Sequence, residues 1–323
     1  MRICAALTMA TLCACSLVAP SSDYFDDAGV ETVAVVPNVR QAVATHALLY
    51  VASDRILLAG PADGLGDRTT VRTAAGDLRS LVSNDIDTVA WCEDGAGAWV
   101  RRNEESPARI PGSLACASIA VHGPTVAYFE TSGSLTLRTF DVEQGRIVSE
   151  RIVRTSDPSP ALVAFSGDGT SYTVTSQGVA RECLPDDRGC EDGLCRLAST
   201  TSASSNLAVI GSGAAARPMW VTDLQAVLFA PTRSCCAFAD KSCDNDARRQ
   251  RRGVTSSSNY AVRGSTLFAL RESALRRVDS FVDPTQDVVV ASATSGAQVL
   301  ALGDRHAFFM DGDKLQRVRY RAP

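Results

Sequence analysis

Seven times along the chain, a short apolar run carries an aromatic residue at or beside its centre, usually just after a turn built from Gly, Asp, Asn or His. The aromatics are Tyr50 (Leu-Leu-Tyr-Val), Trp91 (Val-Ala-Trp-Cys), Tyr128 (Val-Ala-Tyr-Phe), Tyr172, Trp220 (Pro-Met-Trp-Val), Phe268 (Leu-Phe-Ala-Leu) and Phe309 (Phe-Phe-Met). Their successive spacings are 41, 37, 44, 48, 48 and 41 residues. Such a repeat, made of short β-type runs, restricts the fold severely. One repeat is a small sheet that cannot bury its own apolar faces, so neighbouring repeats must cover them.

The repeat from Cys116 to Arg154 shows the pattern most clearly. Ala117 to Val121 is a short apolar run, and His122-Gly123-Pro124 breaks it because Gly and Pro interrupt regular structure. Thr125 to Glu130 is rich in β-forming residues, and Thr131-Ser132-Gly133 turns the chain again. Ser134 to Val142 places Leu135, Leu137 and Phe140 near a period of two, as in a strand with one covered face. Arg146 to Val153 supplies a fourth run after Glu143-Gln144-Gly145. Four strands on short turns make an antiparallel meander, and seven of these predict an all-β, seven-bladed β-propeller.

The two chain ends support a closed ring. In the last repeat Gln298 to Leu302, His306 to Met310 and Leu315 to Tyr320 read as three strands, and the chain then stops. A surplus strand, Thr32 to Val36, stands before Pro37 at the other end, ahead of the first inner strand at Arg40 to Thr45. Used as the fourth strand of blade seven, it would close the ring and leave no open sheet edge. One domain over residues 31–323 is therefore expected, although 323 residues would by length alone suggest about two domains. Helical periodicity is nearly absent. The formal charge of −4 and pI near 5.5 argue against a nucleic-acid partner. Gly64-Leu65-Gly66 lacks the rest of any phosphate-binding fingerprint.

At the N-terminus, Met1-Arg2 precedes a ten-residue apolar-biased run, Ile3 to Leu12, too short to span a bilayer and suited to a secretory signal. The following Leu12-Cys13-Ala14-Cys15 resembles the bacterial lipobox. That resemblance implies cleavage before Cys15 and acylation of Cys15, and several acyl chains anchor stably where one is marginal. Residues 1–14 are thus expected to be a lipoprotein signal peptide and 15–30, with Pro20, Ser21 and Ser22, a flexible tether.

The chain has eleven cysteines. Cleavage before Cys15 removes Cys4 and Cys13, and acylation occupies Cys15, leaving eight. An even number in an exported protein reads as disulfides. Cys92 and Cys116 are placed to staple neighbouring strands, whereas Cys183, Cys190 and Cys195, and Cys235, Cys236 and Cys243, form two clusters whose pairing stays open. Cys195 lies 23 residues after Tyr172, and Cys243 lies 23 after Trp220. The clusters therefore fall at equivalent places in blades four and five, in long loops after the third strand. Zinc is the alternative, but the Cys-x2-Cys knuckle is missing and no His lies close. No metal or cofactor is expected.

The three histidines, His46, His122 and His306, sit at first-to-second-strand turns of blades one, three and seven, hence on one face. Asp186, Asp187, Glu191 and Asp192 crowd the first cysteine loop without an EF-hand spacing. Arg248, Arg249, Arg251 and Arg252 read as part of the second long loop and are the candidates for partner binding. No nucleophile elbow or zinc-helix motif occurs.

As a whole, residues 31–323 resemble exported bacterial propellers of the NHL, lyase-like and outer-membrane assembly lipoprotein kinds, in architecture and without a family-specific catalytic motif. The resemblance implies a monomeric envelope lipoprotein, on the outer membrane and facing periplasm or cell surface. It would act without catalysis by binding or scaffolding an envelope protein or a surface glycan. The competing expectation is an envelope enzyme, a lyase or hydrolase, with its site at a channel mouth.

Overall fold

The computed structural model describes residues 29–132, 134–153, 161–198, 204–222, 225–230, 235–236, 249–253, 259–264, 266–271, 273–278, 287–293 and 297–320. The expected Cys15, Cys243 and Arg248 sites lie outside them. The strands form seven four-stranded antiparallel sheets, and in six of these the strands follow chain order from the inner edge outward. In the seventh, the order is Gln298–Leu302, His306–Asp311, Lys314–Arg319 and then Glu31–Val35 from the far end of the chain. Glu31 pairs with Arg317, Thr32 with Gln316, Ala34 with Leu315 and Val35 with Lys314. The Val36 N–H continues the contact by donating to the Asp313 carbonyl at 2.8 Å. Pro37, with no N–H to offer, follows where the strand ends. The expected closing strand is present, shifted by one residue.

All seven repeat aromatics lie on the second strand of their blades and are at least 98% buried. Most face a small or aliphatic residue of the inner strand, as in Val43 with Tyr50, Ala164 with Tyr172 and Ala261 with Phe268. The apolar core is correspondingly divided. Seven buried clusters occupy the seven blade interfaces, each drawing residues from two adjacent blades. A blade thus contributes alternate residues to the cores on its two sides, which is what the period of two along a strand provides.

Two repeated irregularities leave no mark on the sequence pattern. Inner strands of blades one, two, three, five and seven change register near their starts, between Val39 and Gln41 in blade one and Arg79 and Val82 in blade two. Third-to-fourth strand pairing also shifts in blades one, three, four, six and seven. Such bulges increase local twist, which a blade radiating from a crowded axis requires. Among the described residues, helix is confined to one 3-10 turn, Gly213–Ala215.

Candidate functional site at one mouth of the ring

In a four-stranded meander, the first-to-second and third-to-fourth turns leave from the same end of the sheet. The ring therefore gathers both sets on one face. His46 lies between Val39–Ala44 and Leu48–Ser53, His122 ends Cys116–His122, and His306 opens His306–Asp311. The long connections of blades four and five, 183–193 and 230–248, leave from this same face. On the opposite face the second-to-third turn of blade one needs only residues 54 and 55.

At the centre of this face opens an axial cavity of about 750 Å³, lined by the inner strands of all seven blades. Its shaft is aliphatic: Val43, Val82, Ala164, Leu207, Ala208 and Ala261 all line it and are only half-buried. Its polar lining groups concentrate in the turns at the mouth, where Asn84, Asp85, His122, Ser166 and Ser212 stand. His122 packs its ring against Phe165 at 6.0 Å between centroids, linking blades three and four. Hydrogen bonds tie successive mouth turns together. Gly167 N–H donates to Gly211 O at 3.0 Å, Asn84 Nδ2 to Gly123 O at 3.1 Å, and Ser83 Oγ to Ala44 O at 2.9 Å.

Charges from four blades meet beside this mouth. Arg263, ending the inner strand of blade six, donates to Asp304 of blade seven and to the Leu302 carbonyl at 3.0 Å, and lies 3.2 Å from Asp85 of blade two. The other Asp304 oxygen accepts from His46 Nδ1 of blade one at 2.5 Å. Two carboxylates thus share one guanidinium. Burial pushes the Asp85 carboxyl up, with Arg263 pulling it down and Asp304 adding to the rise. The Asp85 side chain itself is 46% accessible; the loss of solvent comes from the channel walls around it rather than from contact over its own surface.

A second, polar pocket of about 610 Å³ lies at the seam between blades seven and one, lined by Glu31, His46, Asp63, Arg305, His306 and Arg319 among others. Arg317 is tied there, donating to Glu31 at 2.6 and 2.8 Å and to the Asp63 carbonyl at 2.5 Å. Burial lowers the His306 imidazole pKa, and the Arg317 and Arg319 charges lower it further.

The expected cysteines are all placed except Cys243. Cys92 joins Cys116, Cys183 joins Cys190, and Cys195 joins Cys235; Cys236 is disulfide-bonded as well. The bridge from Cys195 to Cys235 links the outer strand of blade four to the long loop of blade five. Cys190 Sγ comes within 3.8 Å of Cys235 Sγ, so two bridges are neighbours. Sulfurs of both bridges converge on Asp187, but a sulfur held in a disulfide is not the thiolate that zinc takes. Asp187 is also not the solvated acid its sequence context suggests. Its side chain is fully buried, accepts from Arg181 Nη2 at 2.6 Å and from the Leu184 N–H at 2.6 Å, and so folds the loop inward.

The arginine candidates need relocating. Arg249, Arg251 and Arg252 belong to Arg249–Gly253, the outer strand of blade five, where Arg249 pairs with Phe229 and Arg251 with Val227. An outer strand has no second neighbour to cover it, so the apolar alternation that marks a strand is absent, and charge there suits an edge.

Sequence reasoning missed the Asp85, Arg263 and Asp304 cluster altogether. It also missed Glu93 and Glu130, each two residues after a repeat aromatic, a shared offset that was visible. Glu93 accepts from Arg72 at 2.7 Å and from the Ala75 N–H at 2.8 Å, and Glu130 from the N–H groups of Leu114 and Ala115 at 2.9 and 2.7 Å. Both therefore clamp the connection entering their blade.

No known protein-family model matches the chain, nor does any curated protein. Solved structures do. A streptogramin B lyase structure is similar with a TM-score of 0.63 and 10% identity, covering 94% of this chain and 100% of that one. A chain of the mitotic checkpoint complex is similar at a TM-score of 0.62 and 12% identity, covering 100% and 99%. PorZ, a surface component of the type-IX secretion system of Porphyromonas gingivalis, is similar at a TM-score of 0.59 and 11% identity, over 91% of this chain and 39% of PorZ. At such identities the likeness concerns fold alone, and in fold the chain is a seven-bladed β-propeller.

Proposed function

We propose that this chain is a lipid-anchored envelope lipoprotein that binds a protein partner without catalysis, and that it binds through the face bearing the axial mouth. One observation carries the reading. The connections 183–193 and 230–248, far longer than a blade needs, meet on that face: Cys235 of the second is bridged to Cys195 on the strand that follows the first, and its N–H donates to the Arg188 carbonyl of the first at 3.0 Å. Long loops held on a rigid scaffold are where partners dock. PorZ, a bacterial surface component of a secretion system, offers a precedent for this fold in an envelope assembly. Acylated Cys15 would hold the propeller at the membrane.

Two variants test the reading. Replacing Cys15 by Ser should release the protein from membranes and abolish acyl labelling; continued labelling contradicts the anchor. Replacing Arg248, Arg249, Arg251 and Arg252 by Gln should weaken partner capture with thermal unfolding nearly unchanged. Unaltered capture, or a large fall in melting temperature, would show these arginines to be structural.

A specific geometry favours one second reading, an enzyme at the mouth. His46 Nδ1 is held by the Asp304 carboxylate at 2.5 Å, the arrangement that orients an imidazole as a general base with its other nitrogen free. Lyase or esterase turnover that disappears in His46→Ala would establish it, and turnover unaffected by that change would remove it.

A further inference from the structure

The axial cavity has a chemistry that partner binding on the rim leaves unused. Its volume, about 750 Å³, falls within the range of small-molecule sites, on the order of 300–1,000 Å³. The lining reaches up to about four residues down an inner strand, as in Ile119 to His122 of blade three. At about 3.3 Å per residue, that is a depth of roughly 13 Å. Volume over depth gives a mean cross-section on the order of 60 Å², wide for a single alkyl chain and suited to a ring system.

Polarity along the shaft is one-directional. Val43, Val82, Ala164, Leu207, Ala208 and Ala261 offer no hydrogen-bond partner, so water there is poorly held and an apolar body replaces it favourably. At the mouth, Asp85 is the one carboxylate among the described lining residues. Its counter-charge, Arg263, is divided with Asp304. His46 also serves Asp304, at 2.5 Å. Two anions on one cation leave an excess negative charge where a ligand's head would sit.

We propose that the axial cavity binds a small amphipathic cation, with a ring-sized apolar body in the aliphatic shaft and an ammonium-type head against Asp85. This goes beyond the partner-binding reading, which concerns the rim loops, and either can fail without the other.

The test is fluorescence titration of the full chain with dansylcadaverine, which joins an aromatic ring system to a primary ammonium, against dansylglycine, which carries a carboxylate instead. Saturable one-to-one binding with blue-shifted emission is expected for the cation, and affinity about tenfold lower for the anion. Ala208→Phe, which fills the shaft, should reduce cation affinity by about tenfold or more. Ala164→Phe fills the shaft from the neighbouring blade and serves if the first variant does not fold. Asp85→Asn should erase the preference for the cation while keeping the ring-dependent part of the affinity. Absence of saturable binding, or binding unchanged in a folded shaft-filling variant, overturns the proposal. Equal affinity of the native chain for the two dyes overturns its cationic half.

Discussion

Blades two and three and blades four and five each contain a disulfide that crosses between neighbours beside a buried apolar cluster, yet the two bridges differ in what they join. Between blades two and three, Cys92 and Cys116 sit inside the apolar interface with Ala90, Ile119 and Tyr128, and the bridge is part of the core. Glu130 adds a buried carboxylate that accepts the N–H groups of Leu114 and Ala115 in the connection between the two blades. Between blades four and five, Cys195 is equally buried but its partner Cys235 lies in a loop, next to exposed Cys190 and the Arg181–Asp187 pair. There Cys195 belongs to the buried cluster of blades four and five, and Cys183 and Cys235 pack against it, so the bridges and the ion pair fasten the long loops to that core. The same cross-link serves packing in one region and display in the other, and this difference is what separates scaffold from site in this propeller.

The largest expected effect tests whether either region stands without the closed ring. Deleting residues 31–37 removes the outer strand of blade seven and opens an edge. We expect aggregation or loss of cooperative unfolding, measured by light scattering and circular dichroism. A monomeric variant with unchanged unfolding would mean the blades hold together without closure.

The disulfides sharpen the comparison directly. On loop-closure entropy, removing the bridge that spans 24 residues, Cys92–Cys116, should cost about 3 kcal/mol, and removing the one that spans 7, Cys183–Cys190, about 2 kcal/mol. Because the first also lies in a core, its double-serine variant should lose more than this entropy difference in denaturant melts. Equal losses would erase the distinction between core and display bridges.

A smaller effect attaches to Glu130. Burial opposes its ionisation, but the N–H groups of Leu114, Ala115 and Ser132 outweigh burial and hold the carboxyl below its ordinary value. Because the folded value is depressed, the stabilisation is fully present above an ordinary pKa near 4.5 and is lost as pH falls through the folded value. Glu130→Gln should cost about 1–3 kcal/mol at neutral pH and flatten the acid limb of the stability profile. An unchanged limb would assign acid sensitivity elsewhere.

Much of the ring was legible in the sequence because its signals are local. The aromatics Tyr50 to Phe309 repeat at a readable spacing, and the surplus strand before Pro37 matched the strand missing after Tyr320. Cys92 and Cys116 were readable as a staple because both fall on strands whose neighbours are fixed by the repeat. The candidate site was far less visible. His46, Asp85, Arg263 and Asp304 come from four blades, and only ring closure makes them neighbours, so no window of sequence contains them. Arg249 to Arg252 looked like loop because an outer strand carries no apolar alternation. Asp187 looked solvated because its partner, Arg181, lies on the preceding strand within an otherwise apolar run.

The central claim, that binding belongs to the face with the mouth and the bridged loops, is tested most directly by photo-crosslinking in intact cells. One chain would carry a photo-crosslinking residue at Arg188, exposed in the blade-four loop, and another at Asp54, exposed in a two-residue turn on the opposite face. The account predicts a discrete protein adduct from position 188 and none from position 54. Adducts from position 54 alone, or equal adducts from both, would contradict it.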